Sequence, residues 1–108
     1  MKMTIIQAVK ALSALAQPTR LEVYRLLVAT GPEGMAAGKV ADRLKVSPAT
    51  LSFHFKTLSH AGLLESRQDG RFIYYAANFA VMNGMVEYLT ENCCGGNDVA
   101  CKVPNKKC

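Results

Sequence analysis

One stretch constrains this chain more than any other: Val46–Leu64, VSPATLSFHFKTLSHAGLL. Ser47 offers a side-chain oxygen to the unpaired N–H groups that begin a helix, and Pro48 suits the first helical position. Leu51, Phe55, Leu58 and Gly62 then share one side at helical spacing, and Ala61-Gly62 reads as the stop. Ala49, Phe53, Lys56, Thr57 and His60 lie roughly opposite. This outer face offers a methyl, an aromatic ring, a cation and hydroxyls, with no acidic residue. A helix face that meets only water normally mixes Glu with Lys. The inventory suits a helix laid in a DNA groove, where Lys meets phosphate and Ser or Thr meets base edges. Ser47, Thr50, Ser52, Phe53 and Lys56 are therefore the candidate groove residues. Phe53 has two readings, a ring against a thymine methyl or a ring merely exposed.

The elements around that stretch follow from periodicity and punctuation. An amphipathic helix is expected over 4–16, with Ile6, Val9, Leu12 and Leu15 as its stripe, ending before Pro18. A second runs over 18–30 with Leu21, Tyr24, Leu27 and Val28 inward, and Gly31-Pro32-Glu33-Gly34 is a loop. A short helix over 36–44, carrying Val40, Ala41 and Leu44 inward, leads through the turn Lys45-Val46-Ser47 into the opening stretch. Short helix, tight turn and polar-faced helix make a helix-turn-helix. Two β-prone runs, 63–68 and 71–76, flank Asp69-Gly70, a dipeptide suited to a hairpin turn whose two central residues need φ > 0. Arg67 and Arg71 flank the tip, so the hairpin reads as a wing able to reach the DNA backbone or minor groove. A solvated turn is the plainer alternative, and the helix-turn-helix directly before it favours the wing. Asn78 caps a last helix over 79–91, with Met82, Met85, Val86 and Leu89 as a packing face.

The expected class is mainly α with a β-hairpin wing: a winged helix-turn-helix of four helices, two strands and a fifth helix. The first and last helices carry more apolar surface than one small domain covers. A homodimer paired through them across a two-fold axis is expected.

At 108 residues the chain is long enough for one domain, expected over 1–91, with 92–108 as an appended tail. The net charge of +5 favours a polyanionic partner, nucleic acid before a membrane surface. No apolar run approaches the roughly 18 residues that span a bilayer. Gln7 and Lys10 interrupt the signal-like start, so a cytoplasmic protein is expected. The chain lacks Cys-x-x-Cys, a βαβ pattern and a phosphate loop, so an enzyme is not expected.

All four cysteines, Cys93, Cys94, Cys101 and Cys108, sit in the tail. A disulfide framework would spread them through the core elements. In a reducing compartment, thiolate ligation or redox sensing is the natural use. Adjacent Cys93 and Cys94 diverge by about 100° on a regular helix, so both can face one ion only if the helix ends there. Gly95-Gly96 lets the chain fold back.

The segments ALAQPTRLEVYRLL (Ala14–Leu27) and VADRLKVSPATLSFHFKTLSHAGLLESRQDGRFIYYA (Val40–Ala76) resemble the ArsR/SmtB family of winged-helix repressors. The resemblance covers about Ala11 to Leu89. Its most specific pieces are Pro18-Thr19-Arg20-Leu21, the Ser-x-His-x-x-x-Leu pattern of Ser52, His54 and Leu58, and Gly70-Arg71. It implies a homodimer on operator DNA that leaves when a metal or metalloid binds. It also implies DNA contacts by the recognition helix and by the wing residues Arg67 and Arg71, and a dimer interface from the terminal helices.

Two familiar ligand sets of that family are missing. A Cys-Val-Cys motif at the start of the third helix is replaced by Gly38-Lys39-Val40-Ala41-Asp42, and the last helix has no His. What remains, Glu91-Asn92-Cys93-Cys94-Gly95-Gly96 with Cys101, resembles an arsenite-responsive subgroup. The resemblance implies As(III), with Sb(III) as a chemical neighbour, held by Cys93, Cys94 and Cys101. Three soft thiolates without His suit that ion better than structural zinc. Cys108 is a possible fourth ligand, and with it a four-thiolate Zn(II) or Cd(II) site is the alternative. A thiol redox switch pairing Cys93 or Cys94 with Cys101 is the other.

Overall fold

The computed structural model describes residues 2–96; Cys101 and Cys108, and the tail beyond Gly96, lie outside the described residues. Local side-chain caps open four of its helices. Thr4 and Gln7 exchange reciprocal bonds, Thr4 N–H to Gln7 Oε1 at 2.9 Å and Gln7 N–H to Thr4 Oγ1 at 3.2 Å, and start α1 (Ile5–Leu15). Gln17 accepts from the Arg20 N–H at 2.8 Å and starts α2 (Pro18–Thr30). Ser47 accepts from the Thr50 N–H at 3.3 Å and starts α4 (Pro48–His60). Asn78 accepts from the Val81 N–H at 3.2 Å and starts α5 (Phe79–Thr90). Between α2 and α4 lies α3 (Ala37–Leu44), which ends on Lys45 in the left-handed region at φ 55°.

The recognition-type helix stops where Ala61-Gly62 indicates. The Gly62 N–H bonds Ser59 O and the Leu63 N–H bonds Leu58 O, and both leucines are buried. That pairing is a Schellman stop with its hydrophobic contact. The core is then assembled from Val23 and Leu27 of α2, Val40 of α3, and Leu51, Phe55 and Leu58 of α4.

The sheet has three strands rather than the expected two. β1 (Met35–Ala36), β2 (Leu64–Asp69) and β3 (Phe72–Ala77) run antiparallel in the order β1-β3-β2. β1 pairs Met35 with Tyr75 and Ala36 with Tyr74, in a segment where sequence placed the end of a loop and the start of a helix. A two-residue strand carries no periodicity, so only its partner reveals it. Gly34 makes the approach possible: at φ +77°, a Cβ there would lie 2.4 Å from Tyr75 O.

The hairpin tip also differs by one residue from expectation. Asp69 pairs with Phe72, so the central turn residues are Gly70 and Arg71, not Asp69 and Gly70. Gly70 has φ +63° while Arg71 is not among the positive-φ residues. A glycine at the first central position is the pattern of a type II′ turn, which relieves Asp69 of any left-handed conformation.

Most of the expected apolar stripe of α1, Ile6, Val9 and Leu12, faces out, while Leu15 packs against the core. Ala8, Ala11 and Ala14 are buried, whereas Ile6 is 78% and Val9 56% exposed. On α5 only Met85 is fully buried, and Leu89 is 60% exposed. On α2, Leu21 is exposed and Val23 takes the buried place. Small alanines let α1 lie close to the core, and the larger side chains are left on the outer surface. No helix among the described residues is long and apolar enough to cross a membrane.

Gly34→Ala tests the β1 contact. The added methyl collides with backbone rather than with a movable side chain, so stability should fall by about 2–4 kcal/mol in urea denaturation. A loss below about 0.5 kcal/mol would show that β1 can shift away at no cost.

Candidate nucleic-acid interface

The interface begins at the turn between α3 and α4. Ser47 Oγ donates to Thr50 Oγ1 at 2.9 Å while accepting from the Thr50 N–H, so both hydroxyls are held at the start of α4. Each oxygen keeps acceptor capacity toward a base edge or a sugar. Ser52, Phe53 and Lys56 follow on the exposed side, with Phe53 69% exposed. Thr57 Oγ1 donates to Phe53 O at 3.2 Å and is thereby committed to its own helix. All five candidates, Ser47, Thr50, Ser52, Phe53 and Lys56, are exposed to solvent. Lys45, a cation in the helix-turn-helix turn, stands exposed beside it. Sequence reading passed Lys45 over; its signal is a long side chain where the left-handed conformation would ordinarily call for Gly or Asn.

The angle of that surface is set from the opposite side of the helix. Phe55 stacks on Tyr75 of β3 with ring centroids 3.9 Å apart and an interplanar angle of 11°. This stacked contact joins α4 to the central strand of the sheet. His54 lies half-buried with its ring edge-on to Phe53, 6.4 Å between centroids. Its Nδ1 is buried without a hydrogen-bond partner among the described residues.

The two wing arginines have different surroundings. The Arg67 guanidinium donates to Glu33 O at 2.6 Å and sits 4.6 Å over the centre of the Tyr74 ring, its cross-strand neighbour. The bond ties β2 to the loop before β1, and the cation–π contact ties it to β3. Arg71, by contrast, occupies the turn itself, exposed and without an ion pair or hydrogen bond among the described residues. The exposed side chains of Phe72 and Ile73 follow it.

At the far end, α5 stops at Thr90, before the cysteines. The chain then turns through Asn92 at φ 56° and a short 3-10 turn, Cys93–Gly96, with Cys94 at φ 58° and Gly95 at φ 61°. The helix therefore ends before the vicinal pair, as ligation by both residues would need. Cys93 is half-buried and disulfide-bonded, and Cys94 is a free, exposed thiol. Among the described residues no group of three His, Cys, Asp or Glu side chains could hold a metal ion.

A family profile described as a helix-turn-helix domain matches residues 15–67. Among curated relatives, the regulator YceK of Bacillus subtilis is 39% identical over 61 residues, which cover 56% of this chain and 60% of that one. The transcriptional repressor SdpR of the same organism is 30% identical over 76 residues, 70% of this chain and 81% of SdpR. Among solved structures, an ArsR-like transcriptional regulator from Rhodococcus sp. RHA1 superposes with a TM-score of 0.68 at 32% identity, covering 78% of this chain and 76% of that one. The homodimeric winged helix-turn-helix DNA-binding domain of Mb0332 from Mycobacterium bovis superposes with a TM-score of 0.66 at 26% identity, covering 82% of each. With a capped reading helix, a wing stacked against it and relatives of one kind across most of its length, the chain belongs to the ArsR-like family of winged helix-turn-helix transcriptional regulators.

Proposed function

We propose that the chain is a homodimeric repressor that binds an inverted-repeat operator through α4 and the wing, and leaves it when As(III) is captured by Cys93, Cys94 and Cys101. The observation that carries the DNA reading is the acid-free outer face of α4, with Ser52, Phe53 and Lys56 exposed and its angle fixed by the Phe55–Tyr75 stack. Two such helices related by a two-fold axis and spaced about one DNA turn, roughly 34–36 Å, would read two half-sites. Arg71 is free to meet phosphate, whereas Arg67 sets the angle of the wing. The outward apolar side chains Ile6, Val9 and Leu89 support pairing of α1 and α5 between protomers. The homodimeric state of the Mb0332 domain and the repressor role of SdpR point the same way.

For the effector, the donor set decides. Thiolates without imidazole favour a soft ion over ordinary structural zinc. The chain leaves the helix before Cys93, so the vicinal pair is released from helical divergence. Capture requires the reduced tail, because Cys93 is disulfide-bonded in the structure. That same bond favours a second reading, in which oxidation and reduction of the tail alone switch DNA affinity.

Fluorescence anisotropy on the protein's own promoter DNA tests these assignments. Lys56→Ala and Arg71→Ala should each weaken binding and reduce the slope of log Kobs against log salt by about one, the signature of a lost phosphate contact. Arg67→Ala should weaken binding with the slope unchanged; a slope reduced by about one would place Arg67 on phosphate instead.

The effector is read in the same assay with a phosphine reductant, which opens the Cys93 disulfide without offering arsenic a competing dithiol. Arsenite should release DNA, and Cys93→Ser, Cys94→Ser and Cys101→Ser should each abolish release while Cys108→Ser keeps it. Release by Zn(II) or Cd(II) alone, with Cys108 required, moves the site to four thiolates. Release by oxidant, with no response to any ion, makes the tail a redox switch.

Ile6→Asp and Leu89→Asp place charge on the outward apolar faces. Each should convert the dimer to a folded monomer in sedimentation equilibrium and remove high-affinity promoter binding. A dimer that survives both substitutions would put the interface elsewhere.

A further inference from the structure

Between α1 and the flank of α4 runs an open groove of about 490 Å³ that the DNA reading does not use as a whole. Its volume lies in the range of small-molecule sites. Its chemistry is one-sided. Lys10 of α1 lines it together with Lys56 and His60 of α4, and no carboxylate does. The sole ion pair among the described residues, Lys2 with Glu91, involves none of these groups. The walls are apolar: the exposed ring of Phe53 on one side, the methyls of Ala14 and Ala61 below. A smaller hollow of about 250 Å³ shares Lys10, His60 and Ala61 and continues toward Met3 and Val81.

Two lysines line one apolar groove with no acid to balance them, so the groove favours an anionic ligand. An inorganic anion would satisfy the lysines and leave the ring and methyls wet. An apolar ligand would cover the ring and desolvate the lysines without a partner. Only a molecule with both parts uses every wall: an aromatic face against Phe53 and a carboxylate in charge-assisted bonds to Lys10, Lys56 and His60. We propose that this groove is a binding site for a small aromatic carboxylate, separate from the cysteine tail. Lys56 and Phe53 belong to both the groove and the candidate DNA surface. On the reading of α4 given above, the carboxylate and DNA compete for them, and the ligand acts as a second, thiol-independent inducer.

The test uses the full-length, isotope-labelled protein with 2-naphthoate as probe and 2-naphthamide as its neutral counterpart. Backbone amide shifts should move for Lys10, Ser13, Phe53, His60 and Ala61 and saturate with naphthoate, and naphthamide should bind about tenfold more weakly or worse. Lys10→Gln removes a charge that has no place in the DNA surface without setting an acid beside Lys56, and Ser13→Phe fills the groove from α1. Each should weaken naphthoate by about tenfold or more while promoter affinity stays within about twofold. Promoter DNA should be released by naphthoate from the unaltered protein and not from either variant. Shifts centred on Ile6, Val9 and Leu89 instead, or equal binding of the amide, or binding indifferent to both variants, would overturn the site. Groove shifts with DNA still bound would overturn the competition. A protein that binds no promoter DNA even without ligand refutes the reading of α4, and the amide shifts then judge the groove on their own.

Discussion

The stack of Phe55 on Tyr75 is the contact on which the rest of this structure depends. Tyr75 sits in the middle of the central strand, opposite Ser66 on one side and Met35 on the other, while Phe55 is buried on the inner face of α4. At 3.9 Å between centroids and nearly parallel, the two rings leave little freedom for the helix to roll against the sheet. A helix that reads DNA must hold its outer residues at a fixed angle to the wing. Here that angle is determined by a contact on the buried side of α4. Gly34 belongs to the same arrangement, because its missing side chain lets β1 come within reach of the Tyr75 carbonyl. Arg67 closes it from the wing side by reaching Glu33 in the loop that leads to β1.

Division of labour on the terminal helices follows from side-chain size. α1 turns alanines to the core and keeps isoleucine, valine and leucine outside. Burying a large aliphatic side chain is worth about 1.5–3 kcal/mol, so a monomer that leaves several exposed forgoes a large part of its available stabilisation. Exposed apolar faces of this extent mark an interaction surface rather than an accident of composition. Met3, buried and packed against Gly84, and the exposed Lys2–Glu91 pair at 3.4 Å hold the start of α1 to α5. The ion pair itself adds little in water; the buried methionine is the stronger link.

Sequence was most informative where a residue type has one conformational use. Ser47-Pro48 fixed the start of α4, and Ala61-Gly62 its end; Asn78 marked the start of α5 in the same way. The inward set Leu51, Phe55 and Leu58 was legible because a single periodicity runs uninterrupted through the helix. Two features could not be read locally. β1 is two residues long, and its existence depends on Tyr74 and Tyr75 some forty positions away. The orientation of α1 was ambiguous because both of its faces are apolar, and the pattern shows amphipathicity without saying which stripe is buried; alanine won the core through close approach. The hairpin slipped by one because Asp-Gly and Gly-Arg are both competent turn dipeptides, and pairing of Asp69 with Phe72 decides between them. At the candidate site, the exposed set on α4 was legible from the helix wheel. The commitment of Arg67 to Tyr74 and Glu33 was not, since it joins residues 34 positions apart.

These placements bear on how an event at the tail could reach DNA. Cys93 and Cys94 follow α5 almost directly, and α5 is joined to the first residues of α1 through Met3 and Gly84. α1 in turn borders the flank of α4 across the groove lined by Lys10 and Lys56. In the proposed dimer, a shift of the terminal helices therefore has two outlets: the spacing of the two reading heads, and the width of the groove beside each α4. Neither requires the Phe55–Tyr75 stack within a protomer to break. Regulation of this kind changes the relation between two rigid readers while each reader stays intact. On the proposed function, about 1–3 kcal/mol of coupling between tail and DNA suffices, and linkage then requires DNA to weaken capture at the tail by the same amount.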